Sequence, residues 1–207
     1  MMKKLLEIKN VSYVYKSRNS IFNTAKEHRV FSNISFDLHE NEIVGVYGKN
    51  GSGKSTLLKI IANILKPTDG YIINHNAKVC LLNLSVGFNP KLNGYDNAIL
   101  LGMLQGVTKK KMLNIIRDIH DFSELGKWFY EPIYKYSAGM KTRLSFSTSI
   151  FIDTDILLLD EILTVGDEVF REKTSVFMKE TSQRISIILV THNKAKLSKL
   201  TSNIIEI

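Results

Sequence analysis

The sequence predicts an α/β fold on a mostly parallel central sheet. Three observations carry that expectation: short apolar runs alternate with helical patterns, a glycine-rich turn at 48–53 joins a strand to a helix, and an apolar strand over 156–159 ends in two carboxylates. The 207 residues are 44% hydrophobic, 23% charged and 9% aromatic, a balance that excludes a disordered or fibrous chain and suits one folding unit. With three Pro and 12 Gly scattered along it, the chain has no linker-like tract.

The elements follow in order. Residues 5–8, 34–38 and 43–47 read as strands, because apolar and β-branched residues alternate or cluster between turn formers. The third runs into the glycine turn. Residues 55–65 place Leu57, Leu58, Ile61 and Leu65 on one helical stripe, stopped by Lys66-Pro67. Strands are expected at 71–73 and 78–82, and helices at 96–105 and 109–122, the latter with Met112, Ile115, Ile116, Ile119 and Phe122 on one face. Ser137 is placed to cap a helix over 138–151, which leads into the strand 156–159. A polar helix over 168–182 and strands over 185–191 and 204–207 complete the chain, with a helical insertion between about 91 and 137.

Lys plus Arg number 28 against 20 Asp plus Glu, a net charge of +8 that suits phosphate-bearing ligands, nucleic acid or an anionic membrane surface without choosing among them. The tightest basic run, Lys109 to Lys111, opens an amphipathic helix and reads as a solvated face. The N-terminus lacks the apolar core of an export signal, and the most apolar stretch, 156–165, is broken by Asp160 and Glu161, so a soluble, cytoplasmic chain is expected. The single Cys80 excludes an intrachain disulfide and reads as a small buried hydrophobe. His28, His39, His75 and His120 show no metal-ligand spacing.

The run Gly48, Lys49, Asn50, Gly51, Ser52, Gly53, Lys54, Ser55, Thr56 satisfies G-x-x-x-x-G-K-[ST] between a strand and a helix, as a phosphate loop requires. Glycines let backbone N–H groups wrap a phosphate, the helix N-terminus adds positive dipole, Lys54 meets the β- and γ-phosphates of a nucleotide, and Ser55 can ligate Mg²⁺. The strand 156–159 delivers Asp160 and Glu161 to the carboxyl edge of the sheet, where α/β folds place ligands. Asp160 can hold Mg²⁺, while Glu161, pointing elsewhere, can accept a proton from an attacking water. His192 ends a second apolar strand and has the chemistry to polarise a γ-phosphate or orient water, although a lone strand-end histidine also reads as structural.

The segment Tyr136-Ser137-Ala138-Gly139-Met140-Lys141-Thr142-Arg143-Leu144, followed by Leu157 to Glu161, resembles the signature motif and Walker B strand of ABC-type ATPases. The order phosphate loop, signature, Asp-Glu, histidine is similar to the family's over essentially the whole chain. Tyr-Ser-small-Gly-Met, Val165-Gly166-Asp167 and the run Phe88 to Gly94 look like the ATPases that export capsule, O-antigen or teichoic acid.

That resemblance implies a single ABC ATPase domain over 1–207, with an N-terminal antiparallel β subdomain and a helical subdomain at about 91–149 set into a catalytic core of 1–90 and 150–207. It implies that Tyr15 stacks on adenine, with Tyr13 as the alternative. Ser137 and Gly139 would meet the γ-phosphate held by a second copy, Asp167 would bridge the subunits, and Asn89 would stand where relatives have a Mg²⁺-touching Gln. Asn89 is one methylene shorter, so a bridging water would have to stand in for direct metal contact; Ile162 replaces a common Pro and Ala138 replaces a Gly, and neither removes a catalytic group.

The implied partners are a second copy of the chain, head to tail, and an ABC-2 type integral membrane permease docked on residues 92–135. The chain itself would be peripheral on the cytoplasmic face of a bacterial inner membrane, with no nucleic acid bound and no carbohydrate-binding tail. The polar segment 16–29 reads as a solvated loop, with a place at the membrane interface as the alternative. A soluble ABC ATPase acting on nucleic acid, a lipid or drug exporter, and a P-loop metabolite kinase are the competing readings; the kinase leaves Ser137 to Met140 without a role.

Overall fold

A computed structural model of the chain describes residues 3–18, 25–82, 87–160 and 168–207. Its elements are β1 (Lys4–Arg18), β2 (Ala25–His39), β3 (Ile43–Tyr47), α1 (Lys54–Ile61), β4 (Asp69–Asn74) and β5 (Val79–Leu82). These are followed by α2 (Gly94–Leu104), α3 (Lys109–Ser123), α4 (Ala138–Phe151), β6 (Ile156–Asp160) and α5 (Glu168–Thr181). β7 (Ser186–Thr191), the short α6 (Lys194–Leu197) and β8 (Ile204–Glu206) close the chain. Two 3-10 turns, Gly126–Tyr130 and Ile133–Lys135, link α3 to α4.

The strands form two sheets. One is antiparallel, in the order β2-β1-β4; the other has the order β5-β6-β7-β3-β8 and pairs in parallel throughout. Period-two alternation on β6 and β7 explains why the parallel sheet is covered on both faces. Ile156, Leu158, Ile188 and Val190 join Leu57, Leu58 and Ile61 of α1 and Leu6, Ile8 and Leu38 of the antiparallel sheet. Leu157, Leu159, Ile187 and Leu189 point the other way, onto Phe146 of α4, Phe170 and Met178 of α5, and Cys80. A third cluster, including Ile99, Met112, Ile119, Phe129, Tyr136 and Leu144, holds the helices between β5 and β6 together. At about 1.5–3 kcal/mol for each large side chain removed from water, these clusters fix where the strand ends lie.

Most expected elements appear within a few residues of their bounds, but the strands expected at 5–8 and 34–38 are the ends of two 15-residue strands, β1 and β2, and three further corrections apply. The segment 16–29 is not a loop where it is described: β1 runs to Arg18 and β2 starts at Ala25, with Lys16 opposite Glu27 and their charges 3.3 Å apart. The helix expected over 55–65 ends at Ile61, because Asn63 adopts φ 58° and closes a Schellman motif in which the Ile64 N–H donates to the Lys59 carbonyl at 2.8 Å and the Asn63 N–H to the Ile60 carbonyl at 3.0 Å. The chain turns before Pro67 acts. The helix α6 was not expected at all. Among the described residues, no helix is long and apolar enough to cross a membrane.

Cys80 is buried, and burial pushes its thiol up to about 12. Its Sγ donates to the Gln105 side-chain oxygen at 2.8 Å.

Candidate nucleotide site

The phosphate loop begins where β3 stops. β3 lies between β7 and β8, and the Gly48 N–H donates to the Thr191 carbonyl at 3.4 Å while the Ile207 N–H donates to the Tyr47 carbonyl at 2.8 Å. Only glycine fits at 48, since a Cβ there would run into Ser52 Oγ and the Ile207 carbonyl oxygen. Gly53 is under the same kind of pressure from another direction. Its φ is 93°, and a Cβ would run into the Val30 side chain and lie 2.8 Å from the Phe31 ring. β2 therefore presses the loop against the start of α1.

Lys54 is only 7% exposed, and its ammonium donates to the carbonyls of Gly48 and Lys49, both at 2.9 Å. The side chain is thus folded back into the loop it serves. Ser55 is exposed at the first turn of α1, Thr56 is buried beside it, and Asn50 and Gly51 are exposed at the tip. α1 has no side-chain cap and no acidic residue in its first turn, so neither its cap nor its first turn neutralises its positive end. Ser52 Oγ is buried without a hydrogen-bond partner among the described residues. An orphan hydroxyl, an uncapped helix N-terminus and a buried ammonium together form a donor set that fits a phosphate chain.

Asp160 ends β6 half-buried, in register with Val190 of β7, and β7 is the one strand between it and β3. Two strand spacings put the end of β6 about 10 Å across the sheet from the end of β3, where the phosphate loop begins, at the same edge. Ser55 and Asp160 thus supply hard oxygen ligands of the kind Mg²⁺ takes. Exposed His192 follows Thr191, whose carbonyl accepts the Gly48 N–H, and so sits next to the loop. Glu161 and Asp167 lie outside the described residues.

Of the two candidate tyrosines, Tyr15 is the one that reaches α1. Its hydroxyl is 3.4 Å from Thr56 Oγ1, and the residue is 45% exposed. Tyr13 is half-buried against the first core cluster and meets Tyr15 edge-on, ring centroids 4.9 Å apart.

Ser137 and Gly139 occupy a different place. Ser137 is exposed and caps α4, its Oγ accepting the Met140 N–H at 3.2 Å. A Cβ on Gly139 would find only that same Oγ, at 3.8 Å. No hydrogen bond joins this turn to the phosphate loop among the described residues. Tyr136, just before it, is buried, donates to the Trp128 carbonyl at 2.5 Å, and has its phenol pushed up to about 12 by burial.

A family model described as ABC transporter matches residues 31–164, a span that includes the phosphate loop, the Ser137 turn and β6. The chain belongs to the ABC transporter family. Curated relatives of this ABC chain include a teichoic acids export ATP-binding protein, TagH, of Bacillus anthracis, 38% identical over 203 residues, which cover 93% of this chain and 37% of the relative. An O-antigen export system ATP-binding protein, RfbB, of Klebsiella pneumoniae is 35% identical over 181 residues, 87% of this chain and 74% of the relative. The chain spans little more than a third of the B. anthracis protein's length.

In fold, the ABC chain is similar to the ATP-binding cassette MJ0796 in a dimeric post-hydrolysis state bound to ADP and Pi. The TM-score is 0.83 at 20% identity, over 98% of this chain and 94% of that one. An inward-facing, metal-chelate type ABC transporter gives 0.78 at 19% identity, over 99% and 80%.

Asn89 is exposed, and its amide oxygen accepts the Lys91 N–H at 3.0 Å, a local turn bond. Sequence reasoning missed the residue that builds this turn. Asn97, 0% exposed, accepts the Asn89 N–H at 2.8 Å and donates to the carbonyls of Asn89, Leu92 and Asn93. The available signal was a lone amide on the otherwise apolar face of α2. Val30 and Phe31 were also missed as supports of the loop; no local pattern announces a contact made across the fold.

Proposed function

We propose that this chain is the ATP-hydrolysing subunit of a bacterial exporter for a cell-surface polysaccharide or teichoic-acid-type polymer. The observation that carries the reading is the orphan donor set of the phosphate loop, in a chain that also presents an exposed helix N-terminus at Ser137. The names of TagH and RfbB supply the substrate class.

In this reading residues 1–207 form one ABC ATPase domain, with 91–149 as its helical subdomain. Lys54 and the first N–H groups of α1 hold the β- and γ-phosphates of ATP, and Tyr15 takes the adenine. Two copies pack head to tail, so that Ser137 and Gly139 of each close the site of the other and Asp167 bridges them. Glu161 accepts the proton of the attacking water, and His192 orients that water and contacts the γ-phosphate. Ser55 and Asp160 hold Mg²⁺, and Asn89 joins them if its amide oxygen leaves the Lys91 N–H. The ion supplies positive charge against the negative charge that grows on the phosphates.

Opening and closing of the dimer drives an ABC-2 type permease docked on the helical subdomain. The chain is then peripheral, on the cytoplasmic face of the inner membrane. The test is Glu161→Gln. Phosphate release is expected to fall about a hundredfold or more with ATP binding retained; release at wild-type rate would remove Glu161 from this role.

A further inference from the structure

The ribbon formed by β1 and β2 shifts register at four places, the last of them between Tyr13 and Val14. Tyr13 pairs with Phe31, but Val14 pairs with Arg29 and Tyr15 with His28, so Val30 is an extra residue, a β-bulge. The bulge has two consequences. Val30 and Phe31 both come to bear on Gly53 of the phosphate loop. Beyond it the register is moved by one, so that the residue opposite Tyr15 is His28; uninterrupted pairing from Tyr13 and Phe31 would have put Arg29 there.

We propose that His28 is a base-contacting residue: its imidazole and the Tyr15 ring together form the surface on which the base of the bound nucleotide lies. This rests on the nucleotide reading above and adds to it a residue that no motif identifies. Directly opposed residues of an antiparallel pair share a face, with Cβ atoms about 4.5–5.5 Å apart, so His28 and Tyr15 project from the same face of the ribbon.

The tyrosine is held by its contacts with Tyr13 and Thr56, and roughly half of it is open to solvent. The His28 side chain is exposed and, among the described residues, makes no hydrogen bond, ion pair or ring contact. It is an uncommitted ring on the same face of the ribbon as an anchored one.

The ribbon that carries both is itself fixed. The Val14 N–H donates to Thr68 Oγ1 at 3.0 Å, the Thr68 N–H donates to the Ser12 carbonyl at 2.9 Å, and the Lys16–Glu27 pair closes the next rung. A nucleotide with its phosphates at the start of α1 and its base on Tyr15 therefore passes within reach of His28. A solvated surface histidine, by contrast, would be indifferent to the base.

The experiment compares ATP with inorganic tripolyphosphate, which has the phosphate chain and no base, by titration calorimetry on the wild type, His28→Ala and His28→Phe. Ring contact of this kind predicts that His28→Ala weakens ATP about five- to tenfold and leaves tripolyphosphate within about twofold, while His28→Phe keeps ATP within about twofold of wild type. Unchanged ATP affinity in His28→Ala, a matching loss for tripolyphosphate, or His28→Phe as weak as His28→Ala would overturn the proposal. Those results leave the nucleotide reading intact if the wild type binds ATP. A wild type that binds neither ligand overturns both.

Discussion

The phosphate loop and the Ser137 turn are both helix N-termini, yet the fold treats them in opposite ways. The loop is pinned from three sides, by Val30 and Phe31, by Ile207 and by the Thr191 carbonyl, and its lysine is buried. The turn is exposed, its cap is satisfied by its own serine, and nothing presses on Gly139. One site is built to receive charge, and the other is built to be presented. That division is what the proposed head-to-tail dimer needs: each copy contributes one finished half-site and one open one.

If the loop is the self-sufficient half, its losses should be felt by the isolated chain. Lys54→Ala should weaken ATP binding about a hundredfold, near 3 kcal/mol, in a titration of the monomer. Gly53→Ala should cost about 2–3 kcal/mol in chemical denaturation, because the new Cβ meets the Val30 side chain and Phe31 at φ 93°. If the turn is the presented half, its loss should split differently. Ser137→Ala should cost about 1 kcal/mol of stability as a lost cap. It should lower turnover about tenfold while leaving ATP affinity of the monomer within about twofold; a monomer affinity that fell as far as turnover would erase the contrast.

The smallest effect concerns how the turn's helix is braced. Glu124 bonds Lys173 of α5 at 2.6 Å and Arg143 of α4 at 3.1 Å, and the Lys173 ammonium, with Arg143 behind it, holds the Glu124 carboxyl below its ordinary 4.5. A depressed carboxyl contributes stability above its unfolded-state value and loses it as pH falls through the folded-state value. Unfolding midpoints of Glu124→Gln should therefore converge on wild type below the acid range and lie slightly under it at neutral pH. A constant offset at every pH would contradict the brace.

How much was legible depended on whether the cause was local. The phosphate loop, the Ser137 cap and the strands β6 and β7 are written in consecutive residues, because spacing and apolar alternation alone determine them. The continuation of β1 and β2 through 16–18 and 25–29 was hidden, because its polar side chains give no hydrophobic pattern and the pairing of Lys16 with Glu27 is made across the ribbon. The end of α1 depended on Asn63 taking a left-handed conformation, a choice the nearby proline masked. Asn97 and the Val30–Phe31 buttress act through tertiary contact, which a single sequence does not display.

Association driven by ATP is the most direct consequence of a nucleotide shared between two copies. In sedimentation velocity, Glu161→Gln saturated with ATP and Mg²⁺ should run as a dimer, and as a monomer when Ser137→Arg is added. A Glu161→Gln chain that stays monomeric with ATP demonstrably bound would contradict it.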